Sequence, residues 1–96
     1  SLTVLTKTTN YTLTNSDDVL IFNCSAACTL TASSAASATV KSYKVKNIGT
    51  ASLSIARAGS DLFDGTDTSV EIPAAGAAPF PAVALLPNGG TSWFAF

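Results

Sequence analysis

Hydrophobic residues in this chain fall in short runs, many alternating with Ser and Thr, and nowhere recur at the spacing of an amphipathic helix. In "SLSIAR", Leu53 and Ile55 alternate with Ser52 and Ser54, the pattern of a strand with one face inward and one outward. Enrichment in β-branched and aromatic residues predicts strands over 3–6, 11–14, 18–23, 28–32, 42–48, 52–57, 69–72, 82–86 and 91–96. Turn signals separate them: "TNSDD", "NIGTAS", "RAGSD", "FDGTD", "PAAGAAP" and "PNGG". The one helix candidate, 33–42, lacks an apolar stripe and reads as a loop or a single turn. Many short strands at this spacing predict one all-β domain over 1–96, an antiparallel β-sandwich or jelly-roll-like barrel.

Two runs break the in-out alternation. "VLIF" (19–22) and "WFAF" (93–96) are apolar on both faces, and a domain of this size has a single core with which to cover one of them. A neighbouring subunit is the expected cover for the other, which predicts a homo-oligomer. Phe80, Trp93, Phe94 and Phe96, all in the uncharged stretch after Glu71, are the candidate subunit-interface residues.

Composition agrees with this picture. The chain is 47% hydrophobic and 11% charged, against roughly 25% charged in an ordinary soluble domain, so a lone copy has few charges for its surface. Five basic and six acidic residues give a net charge of -1 and no footprint for nucleic acid or an anionic membrane. Lys41, Lys44 and Lys46 alternate with Tyr43 and Val45 as the outer face of a half-buried strand does. Pro73, Pro79, Pro81 and Pro87 break up the long uncharged stretch, so no membrane helix is expected there. The polar start "SLTVLTKTTN" does not read as a secretory leader, and Ser1 is a residue that trimming of an initiator methionine leaves; a complete small intracellular product is the expectation.

The chemistry is limited by what the residue types can do. Without histidine, Ser-His-Asp and Cys-His arrangements are excluded, and Cys24 and Cys28 in "NCSAAC" are too few for a zinc site. A disulfide across their short loop and two ordinary small cysteines are both open. There is no phosphate-binding G-x-x-x-x-G-K-S/T, and "GTASLSIARAG" (49–59) lacks dinucleotide-type glycine spacing. "DLFDGTD" (61–67) is the one carboxylate-rich stretch. Aligning Gly65 with the glycine of an EF-hand loop puts Leu62 at a ligand position, which rules calcium out, and one tryptophan is too little for a sugar-lined hydrolase groove. The stretch reads instead as a turn: Asp64 and Gly65 tolerate positive φ, Asp61 and Asp67 flank them as acceptors for the turn's amides, and Leu62 and Phe63 anchor it. Asn88 and Gly89 mark a second turn, and Trp93 just beyond it reads as core or interface. No catalytic, metal or cofactor residue is expected.

The order of these pieces carries further information. "YTLT..SDDVLIFN" (11–23), "TLTAS" (29–33), "YKVKNIG" (43–49), "LSIARAGSDLFDG" (53–65) and "GTSWFAF" (90–96) together resemble a domain recurrent in virion proteins of tailed bacteriophages, over about nine-tenths of the chain. The resemblance implies a trimeric β-sandwich that builds virion exteriors. Its partners would be its own copies and the major capsid protein or other virion proteins, and its place the virion, assembled in the host cytoplasm. Within that setting a head decoration protein is the first expectation. A receptor-binding tail-fibre or head-fibre tip, touching glycans through Trp93, Tyr11, Tyr43 or Phe63, is the second.

Overall fold

The alternation in the sequence is realised in ten strands. A computed structural model of the chain describes residues 2–96. The strands are β1 (Val4–Lys7), β2 (Tyr11–Thr12), β3 (Val19–Phe22), β4 (Cys28–Thr31), β5 (Tyr43–Asn47), β6 (Leu53–Ala56), β7 (Leu62–Phe63), β8 (Ser69–Ile72), β9 (Ala82–Pro87) and β10 (Ser92–Ala95). Nine overlap the expected segments, β1 and β9 each running one residue beyond; β7, inside "DLFDGTD", is the addition. No helix occurs among the described residues, and 33–42 is a loop with one tight turn, in which Ala38 N–H donates to Ser34 O.

Two sheets form, ordered β1-β3-β5-β9-β10-β7 and β2-β4-β6-β8. The expectation of antiparallel sheets is corrected: both are mixed, with β1-β3, β3-β5, β7-β10, β2-β4 and β4-β6 parallel and only β5-β9, β9-β10 and β6-β8 antiparallel. The cause is the path of the chain. From β1 to β6 each strand hands over to the opposite sheet and the chain returns beside its earlier strand two strands later, running in the same direction; β8 breaks the pattern by returning antiparallel to β6. Parallel neighbours need a long crossover, and here the strand of the other sheet supplies it. β9 and β10 then close the larger sheet as a hairpin.

The coils stack with matched length. Val19 pairs with Lys44 in one sheet and Cys28 with Leu53 in the other, an offset of 25 residues in both. The same offset brings Gly49 onto Cys24 at the corner, where a Cβ on Gly49 would lie 2.5 Å from the Cys24 carbonyl oxygen and 2.6 Å from its nitrogen. Asn47, buried at that corner, accepts from Gly49 N–H (2.9 Å) and donates through Nδ2 to the carbonyls of Ala51 and Pro73 (both 3.0 Å). One side chain thus satisfies backbone groups of the β5–β6 corner and of the chain leaving β8.

Between the sheets lies one core containing Phe22, Leu30, Tyr43, Leu53, Ile55, Phe63 and Trp93. The Tyr43 and Trp93 rings meet edge to face with centroids 5.6 Å apart. The 33–42 loop closes this core and satisfies its polar ends: Trp93 Nε1–H donates to Ser33 O at 2.9 Å and Tyr43 O–H to Thr39 O at 2.8 Å. That loop is held in turn by Asp61, whose carboxylate accepts from Ala35 N–H at 2.8 Å, and by Asn15, which accepts from Thr39 N–H at 3.0 Å. Asp17 is also buried, where it accepts from Tyr11 O–H, Thr14 N–H and the Thr14 hydroxyl. The chain exposes 4949 Å², close to the roughly 5,100 Å² expected of a compact monomer of this mass. The core is therefore completed within one copy.

Cys24 and Cys28 form a disulfide, which settles the alternatives left open by the sequence. It bridges the handover from β3 in one sheet to β4 in the other, not the base of a hairpin.

Two stability outcomes follow from these corners. Opening a loop this short with a reductant is expected to lower unfolding free energy by about 2 kcal/mol, read from denaturant midpoints with and without reductant; coincident curves would contradict it. Gly49→Ala forces a methyl group into the Cys24 backbone and is expected to cost about 2 kcal/mol, whereas Gly90→Ala, whose methyl meets only the Asn88 side chain at 3.5 Å, leaves the Cys24 contact untouched.

Candidate interaction face

The register sorts every strand position to one side of its sheet, and the two outer faces differ in chemistry. On the four-stranded sheet, Thr29, Thr31, Ser54 and Ala56 alternate with the buried Cys28, Leu30, Leu53 and Ile55, and Ser69 and Glu71 continue that outer face on β8. It is a surface of small hydroxyls, suited to water. On the six-stranded sheet the outward positions are Val4 and Thr6 of β1, Val19 and Ile21 of β3, Lys44 and Lys46 of β5, Ala82, Ala84 and Leu86 of β9, Ser92 and Phe94 of β10, and Leu62 of β7. Phe96 extends this face, held beside Ala84 by backbone hydrogen bonds in both directions. The two runs that are apolar on both faces, "VLIF" and "WFAF", thus belong to the same sheet and present their second face on the same side.

Of the expected interface residues, Phe80 is 87% exposed, Phe96 78% and Phe94 40%. Trp93 is a correction: it is wholly buried in its own chain, because it pairs with Phe63 and Pro87 on the inward side of β10. Burial also removes Trp93, Tyr43 and Phe63 as glycan contacts, and Tyr11 is half-buried with its hydroxyl turned to Asp17. Burial and the Asp17 carboxylate raise the Tyr11 pKa above its ordinary value, and burial raises that of Tyr43.

The aspartate stretch is a turn, with corrected details. Asp64 and Gly65 have φ of 53° and 77°, and Phe63 and Asp67 exchange backbone hydrogen bonds across them. Asp61 does not serve this turn but the distant Ala35 amide, and Asp64 accepts from Ala95 N–H at 3.0 Å, docking the turn on β10. Phe63 is in the core, while Leu62 is only half-buried. In the second turn Gly89 has φ of 79°, and Asn88 Oδ1 accepts from Gly90 N–H and Ser92 N–H. Lys41, grouped with Lys44 and Lys46 by sequence, is instead tied to Asp18 at 2.8 Å, and that contact with the Thr3 amide holds the Asp18 carboxyl below the usual range.

Two depressions mark the apolar face. Val19, Lys44, Lys46, Ala82, Ala84 and Phe96 line one of about 350 Å³. Lys46, Ile48, the 75–78 segment and Phe80 line another of about 520 Å³. Phe80 lies between Pro79 and Pro81 with φ of 49°, a conformation unfavourable for a bulky residue and doubly so before proline. Its ring lies 5.6 Å from the Lys46 ammonium. The sequence offered Phe80 as an interface candidate in the uncharged stretch after Glu71; its backbone conformation was not legible. Asn47 was missed altogether, since a polar residue in a strand gives no sign of facing inward.

No protein-family model, curated protein or solved structure matches the chain.

A left-handed phenylalanine stores about 1–3 kcal/mol of strain. Phe80→Gly is therefore expected to stabilise the isolated chain by about 1 kcal/mol, after the extra freedom of glycine in the unfolded chain is offset. A lower unfolding midpoint for this variant would show that Phe80 is held by packing in its own chain.

Proposed function

We propose that this chain is a structural protein of a tailed-bacteriophage virion: a decoration protein that assembles as a homotrimer on the outer surface of the head and stabilises the shell by binding the major capsid protein. The observation that carries this reading is the contrast between the two sheets. A subunit with one hydroxyl-rich face and one face of Val, Ile, Leu, Ala and Phe around Lys44 and Lys46 has a side for water and a side for protein. The ordered succession from "YTLT" to "GTSWFAF" directs that general reading to virion exteriors. A corner closed by a disulfide and a core whose aromatic polar groups are hydrogen-bonded suit a part that bears load.

The test is binding of the purified protein to expanded phage heads that lack it. Saturable co-sedimentation with the heads, together with a higher temperature of head disruption, is the expected result. Failure to bind expanded heads would overturn the decoration role and turn attention to fibre tips.

A further inference from the structure

We propose that Phe80 is a preformed knob that enters the depression between Lys44 and Lys46 on a second copy of this chain. This deepens the reading of the chain as an assembling subunit and rests on it. The knob is built before any partner arrives. Pro79 and Pro81 restrict the backbone on either side, the Asn47 amide donates to Pro81 O at 3.0 Å, and Phe80 is left 87% exposed in a conformation that costs energy. A strained, exposed aromatic is poorly explained by folding of its own chain. Its ordering cost is already met when it binds, which is how a small number of aromatic anchors come to dominate interfaces.

The receiving site has matching chemistry. The depression of about 350 Å³ is floored and walled by Val19, Ala82, Ala84 and Phe96, with the stems of Lys44 and Lys46 at its side. Neither lysine makes an ion pair among the described residues. An aromatic ring placed there would have aliphatic walls and cations over its face, a pairing of the kind that Lys46 already makes with its own Phe80. The segment 73–82 that carries the knob is uncharged, so it approaches the two lysines without repulsion.

The sheet supplies about half of the area such a contact needs. Its strands, two to six residues long and about 4.8 Å apart, project roughly 400 Å² before the surface relief and the 73–80 segment are added. A standard interface takes roughly 800 Å² per partner, so the knob segment has to contribute alongside the sheet. Because knob and depression are different parts of one chain, the contact can be made head to tail. Such contacts close into a ring when the rotation permits.

The test uses Phe80→Ala, which removes the knob, and Ala84→Trp, which fills the depression from an outward strand position, with sedimentation velocity at micromolar concentration. Wild type is expected to self-associate, and each variant to associate at least about tenfold more weakly while keeping the circular dichroism of wild type. Mixing the two variants is expected to restore pairs, since the knob of one meets the open depression of the other. Unchanged assembly of Phe80→Ala would overturn the knob and leave the assembling-subunit reading intact. Loss in both variants without recovery on mixing would overturn the pairing of knob with depression, and a monomeric wild type would overturn both readings.

Discussion

Gly49 lies against the backbone of Cys24, and much of the fold follows from how closely those two corners approach. The chain winds between two sheets, so a strand's partner is set by where the previous coil turned. With Gly49 seated on Cys24, the offset of 25 residues holds in both sheets at once, and Leu20 stacks on Val45 as Leu30 stacks on Ile55. Asn47 holds the corner from inside and the Cys24–Cys28 bridge holds the one beneath it. A slip of one residue in either sheet would turn the inward set outward.

That register also decides what the molecule shows to its surroundings. Once Leu20, Phe22, Tyr43, Val45 and Trp93 face inward, Val19, Ile21, Ala84 and Phe94 have only the outside left. The four-stranded sheet places Thr and Ser in the equivalent positions. The apolar outer face is thus a property of one sheet, and the chain completes its core without needing that face. An apolar face that the core does not use is the basis for the proposal that the chain is a subunit of an assembly.

Most strands were legible because alternation such as Leu53-Ser54-Ile55 needs only the pleat to be read. The turns at Asp64-Gly65 and Asn88-Gly89 were legible because positive φ selects those residues. Strand direction was not legible: alternation separates inward from outward but carries no sign of which strand lies alongside. The 25-residue offset was hidden by the unlike pairs it stacks, Phe22 on Asn47 and Cys28 on Leu53. Phe80, Phe94 and Phe96, expected at an interface from their place in an uncharged, apolar stretch, are exposed in the single chain. Trp93, which the sequence left as core or interface, is core, and only the register with Phe63 and Pro87 shows that it points in.

Hydroxyl-radical footprinting of the assembled protein against its dilute form tests most directly whether the six-stranded sheet is the face that partners cover. Protection on assembly is expected at Phe80, Phe94 and Phe96, with Tyr11 and the Thr29–Thr31 and Ser54 positions of the other sheet unchanged. Protection confined to the hydroxyl-rich face, or equal reactivity of the three phenylalanines in both forms, would contradict it.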